Sequence, residues 1–89
     1  MIDARQAATA AEGFVRGIYP GESLAGLRLE EIERSSDGQV WYITLGWADP
    51  AALLSTGLLA GLNPPRTYKT FVVDGTSGEV TSMKIRATV

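Results

Sequence analysis

The sequence predicts an α+β domain in which one N-terminal helix packs on a four-stranded antiparallel meander, with a short second helix between the second and third strands. Three observations carry this expectation. Residues 3–18 repeat apolar side chains at spacings of three and four, residues 39–47 and 68–85 alternate with a period of two, and Gly-, Asp- and Ser-rich turns punctuate the alternating runs at 35–38 and 74–78. Eighty-nine residues with 45% apolar content fill one core, so residues 1–89 are read as a single domain. A domain of this size buries only about 60 to 65% of its unfolded surface. The chain has no Cys, so neither a disulfide nor a thiolate metal site assists the packing.

The helix is expected over Ala4 to Ile18. Asp3 and, three residues on, Gln6 have the spacing of a capping box, in which each side chain bonds the other's backbone N–H. Ala7, Ala8, Ala11, Phe14, Val15 and Ile18 form the buried stripe, while Arg5, Gln6, Thr9, Glu12 and Arg16 face water. The small alanines let the helix approach a sheet closely, and Phe14 supplies bulk. Pro20 and Gly21 stop the helix.

The first strand candidate, Leu24 to Arg34, alternates through Leu27 and Leu29 and then loses phase at Glu30 and Glu31; a bulge near Glu30 returns Ile32 to the face of Leu27. Ser35 to Gly38 form a turn. Gln39 to Trp47 is the second strand, with Trp41, Ile43, Leu45 and Trp47 on the core face and Val40, Tyr42 and Thr44 opposite. The leucine-rich connection of residues 48–65 is long for a small domain. Asp49 and Pro50 suit an N-cap and first helical residue, so a short helix is expected over Ala51 to about Ala60, weakened by Gly57 and Gly61 and ended by Asn63, Pro64 and Pro65.

The clearest hairpin is Tyr68 to Ile85. A three-residue loop at Thr76, Ser77 and Gly78, with Gly78 in the left-handed region, sets Gly75 opposite Glu79 and Phe71 opposite Met83. That register places Phe71, Val73, Met83 and Ile85 on the core face, and Tyr68, Thr70, Val72, Val80, Ser82, Lys84 and Arg86 on the other. Asp74 caps N–H groups of the turn.

Composition excludes several functions. The net charge is −2 with no basic run, which disfavours a phosphate-tracking nucleic-acid surface. With no His and no Cys, the usual transition-metal ligands and the commonest general base are absent. Ser82 and Lys84 share a strand face without an oxyanion site, Glu30, Glu31 and Glu33 lack a calcium loop, and Gly75 and Gly78 join two strands where a phosphate loop would open a helix. No catalytic residue, metal ligand or cofactor is therefore expected. Met1-Ile2-Asp3 offers no basic, apolar leader and no run is long enough to span a membrane, so a cytoplasmic location is expected, an exported origin staying open if the chain is part of a longer one.

Helix, meander and the hairpin Tyr68-x-x-Phe71-Val72-Val73-Asp74-Gly75-Thr76-Ser77-Gly78-Glu79-Val80 together resemble PepSY-type domains, which share a "V-D-x-x-T/S-G-E-V" hairpin and belong with cystatin-like folds. The cystatin inhibitory motif Q-x-V-x-G is matched at Gln39 alone. The resemblance implies a noncatalytic interaction module of regulator or immunity-inhibitor type. The alternative is a small-ligand binder with a pocket between helix and sheet. The expected contact residues fall in two groups. Leu53, Leu54, Leu58, Leu59 and Leu62 of the long connection need burial, either over one end of the sheet or against a partner or a second copy in a homodimer. Tyr42, Tyr68 and Arg86 lie on the face opposite the helix and are of types enriched at protein contacts.

Overall fold

The computed structural model describes residues 1–21, 24–48 and 66–86. They form helix α1 (Ala4–Ile18) and strands β1 (Arg28–Arg34), β2 (Val40–Ala48), β3 (Arg66–Asp74) and β4 (Val80–Ile85), paired antiparallel in the order β1-β2-β3-β4. The α+β class, the helix limits and the sequential meander agree with the sequence. The expected short helix over 51–60, and Leu53, Leu54, Leu58, Leu59 and Leu62, lie outside the described residues.

Local chemistry sets the helix start. The Gln6 N–H donates to Asp3 Oδ1 and the Asp3 N–H to Gln6 Oε1, both at 2.8 Å, satisfying two donors that a helix N-terminus leaves without partners. The helix runs alongside β2, and the two tryptophans of that strand hold its ends. Trp41 Nε1 donates to the carbonyl of Ile2 at 3.4 Å, and the Trp47 ring lies 6.3 Å from that of Tyr19. The lengths match: 15 helical residues span about 22 Å, and the six strand steps from Trp41 to Trp47 span about 20 Å.

Ala7, Ala11, Val15, Ile43, Phe71 and Val73 are fully buried, with Leu45, Trp47 and Leu24 almost so. Phe14 meets Phe71 edge-on with ring centroids 6.1 Å apart. Together these side chains fill the space between helix and sheet.

The bulge expected near Glu30 is present, since Leu29 pairs with Leu45 but Glu31 with Thr44. Ile32 therefore returns to the helix side, opposite Ile43. The first strand starts later than expected. Leu24 instead accepts a turn hydrogen bond from Leu27 N–H at 3.1 Å and packs into the core. In the β3–β4 hairpin Gly78 has φ 78° and Phe71 pairs with Met83, both as expected. The loop between them is not the expected one: the Asp74 N–H donates to the Glu79 carbonyl at 2.8 Å, so Asp74 and not Gly75 lies opposite Glu79, and the extra residue at Thr81 restores the pairing of Phe71 with Met83.

Three further expectations are corrected. Val80 lies opposite Val73 and packs against the core, because the register shifts by one beside Thr81 and turns Val80 to the helix side. Ile85 faces the helix side yet is 79% exposed, since it sits on an edge strand beyond the helix flank. Ile18, in the last turn of α1, is 42% exposed.

Candidate functional site

The face away from the helix carries the residues that the sequence nominates on described strands. Strand register arranges it in rows. Arg28 lies beside Gly46 and Gly46 beside Tyr68, with Arg86 joining this row by donating its N–H to the Tyr68 carbonyl at 2.9 Å. The next row is Glu31, Thr44, Thr70 and Lys84, and the third is Glu33, Tyr42, Val72 and Ser82.

The bulge gives this face its charge. Glu30 and Glu31, adjacent in sequence, both present carboxylates to it: Glu31 pairs on the face with Thr44, and the Glu30 side chain lies against Gly46. Glu30 pairs with Arg28 and sits 3.9 Å from Arg66, whose Nη2 also donates to the Gly26 carbonyl at 2.8 Å. Glu31 accepts both ends of the Arg86 guanidinium, at 2.7 and 3.2 Å. Arg86 follows β4 and Glu31 lies on β1, so this pair straps the sheet edge to edge across the two central strands. Beneath it Arg86 Nη1 donates to Thr44 Oγ1 at 3.3 Å, and the hydroxyls of Thr44 and Thr70 are 2.9 Å apart. Hydrogen bonding from Arg86 and its charge hold the Glu31 carboxyl below the usual carboxylate range, and the Arg86 pKa is raised by the same partner. The hydrogen bond to Glu30 likewise raises Arg28.

Tyr68 and Arg86 are thus drawn into an internal network. The Tyr68 ring occupies the space above Gly46, where a Cβ would stand 2.9 Å from two ring carbons and 3.0 Å from Glu30 Cγ. Tyr42 stands apart and is 36% exposed. The five leucines nominated in the long connection lie outside the described residues. Sequence reasoning missed two clusters on this face, Glu30 with Arg66 and Glu31 with Thr44 and Thr70 under Arg86. A glycine inside an otherwise apolar strand, Gly46, was the available signal, because such a glycine marks a close approach.

The helix side offers a different surface. Leu29 is 45% and Ile32 36% exposed on β1, and Ile85 is more exposed still on β4. Helix α1 covers the central strands and leaves these three apolar side chains of the edge strands exposed.

No protein-family model, curated protein or solved structure matches this chain. Among the described residues no helix is long and apolar enough to cross a membrane, and no three acidic side chains gather as a metal ion would require. The carboxylates with resolved shifts have structural partners. Asp74 is held low by the backbone N–H groups of Ser77 and Thr76, and Asp37 by the Ser35 hydroxyl and the Gln39 N–H.

Proposed function

We propose that this chain is a noncatalytic protein-interaction module, of the regulatory or inhibitory kind that its resemblance to PepSY-type domains implies. One observation carries the reading: the helix-side rim, where Leu29, Ile32 and Ile85 stay exposed on strands whose neighbours are fully packed. A chain this small has few apolar side chains to spare from its core, and apolar groups left at a rim are what a partner surface buries. The opposite face supports the same reading more weakly. Its Arg28, Arg66 and Arg86 are taken up by Glu30 and Glu31, which leaves Tyr42 as the aromatic group open to contact there.

The test is affinity capture with the wild-type chain as bait beside an Ile85→Glu, Leu29→Glu bait whose fold is checked by circular dichroism. A saturable partner held by the first and lost by the second is the expected result. Failure of the wild-type bait to hold any saturable partner, or equal retention by both baits, refutes the rim as the interaction surface.

A further inference from the structure

Resting on the reading of the chain as an interaction module, we infer that the outer edge of β4 takes up an extended segment of another protein in which acidic and apolar residues alternate, adding it as a fifth strand. The two edges of the sheet are built differently. In β1, five of seven residues are charged, in RLEEIER, and the bulge at Glu30 interrupts the backbone repeat; both features block strand addition. β4 reads VTSMKI, with Lys84 its one charge, and its irregularity lies at the far end, beside Thr81. Among the described residues no strand pairs with its outer edge.

The hydrogen-bond alternation shows what that edge offers. Because Arg86 N–H donates to the Tyr68 carbonyl, Lys84 with Thr70 and Ser82 with Val72 are also bonded pairs in the ladder. The N–H and C=O groups of Met83 and Ile85 therefore point outward from the sheet. Residues of an added strand that pair with Met83 and Ile85 project to the helix side, against the exposed Ile85 side chain, and call for apolar groups. The residue that pairs with Lys84 projects to the opposite face. There it meets an exposed lysine that belongs to no ion pair among the described residues. Alternating apolar and acidic side chains complement this edge, and main-chain bonds supply the rest, as in strand addition generally.

A second copy fits less well. Antiparallel self-pairing centred on Lys84 opposes two lysines, and pairing centred on Met83 sets each exposed Ile85 against Thr81 at the irregular end of the other strand.

The probe is an end-blocked eight-residue peptide alternating glutamate and valine, with a lysine–valine peptide as control, followed by amide hydrogen exchange of the intact chain. In the free protein the Met83 and Ile85 amides should exchange fast and those of Ser82 and Lys84 slowly. The glutamate–valine peptide should protect Met83 and Ile85 and bind about tenfold more tightly than the lysine control. The Lys84→Glu variant, at an exposed position, should reverse the order. Three results overturn the inference: no protection at Met83 and Ile85 with either peptide; equal binding of both peptides with no reversal in Lys84→Glu; or protection without peptide together with sedimentation as a dimer, which gives the edge to a second copy. A partner captured by the wild-type bait that leaves these amides unprotected sinks the edge alone, whereas the absence of any captured partner sinks the wider reading.

Discussion

Replacing Gly75 by alanine should destabilise this protein more than any feature of the hairpin sequence suggests. The turn glycine is buried where three segments meet: its N–H donates to the Gln39 carbonyl at 2.8 Å, and its own carbonyl accepts from the Ile2 N–H at 2.7 Å. A Cβ on Gly75 would stand 2.7 Å from that same Gln39 oxygen and 3.2 Å from the carbon bonded to it. The obstacle is backbone, so no side chain can swing aside. Relief requires the two hairpin ends to separate by about 0.5 Å or more, which strains the packing and stretches both hydrogen bonds. Overpacking costs about 1 to 3 kcal/mol and a weakened hydrogen bond about 1 kcal/mol, offset by roughly 0.4 to 1 kcal/mol from the stiffer unfolded chain. The net loss is about 2 kcal/mol, a fall in Tm of about 8 to 16 °C for a domain of this size. Urea and thermal denaturation followed by tryptophan fluorescence measure it. Gly13→Ala is the control, since nothing lies within 4 Å of a Cβ there and the site is an exposed helix interior; it should gain about 1 kcal/mol. A Gly75→Ala protein as stable as wild type, with Gly13→Ala behaving as stated, would refute the close approach of the two hairpins.

The outer-face hydroxyls lend themselves to a double-mutant cycle. Thr44→Val strands the Thr70 hydroxyl and the Arg86 donor over a residue only 4% exposed and should cost about 1 to 2 kcal/mol, while adding Thr70→Val should recover part of that loss. Asp3→Ala removes one half of the capping box and should cost about 1 kcal/mol, read as a lower urea midpoint with unchanged slope. For pH dependence, Asp74, Asp37 and Glu31 all have folded-state pKa values below their ordinary ones. The unfolded chain therefore takes up protons first as pH falls, so the stability these groups contribute is complete above the ordinary carboxylate range. It is lost as pH drops below about 4 and on through their depressed values. The urea midpoint should be flat between about pH 5 and 7 and fall below that range, with a shallower fall in an Asp37→Asn, Asp74→Asn variant.

Much of this architecture was legible in the sequence because it rests on neighbours along the chain. Asp3 and Gln6 are three residues apart and cap the helix whatever packs on it. The loss of alternation at Glu30 and Glu31 announced a bulge, and the glycine-rich turn with Gly78 in the left-handed region marked the β3–β4 hairpin. Other features needed the tertiary structure. A period of two says which face a side chain is on, but not whether anything covers that face. A single helix about 10 Å across, over strands about 4.8 Å apart, covers two of them. That width is why Phe71 and Val73 on β3 are buried while Ile85, on the same face of β4, is exposed. The shift beside Thr81 moved Val80 to the core with no breaker residue to mark it. The strap from Arg86 to Glu31 joins residues 55 apart in sequence, and Gly75 meets Gln39 only because β2 and β3 pair across the long connection and carry their register one step past Val40 and Asp74. Contacts of that kind arise when the folded chain brings distant segments together, and no local pattern encodes them.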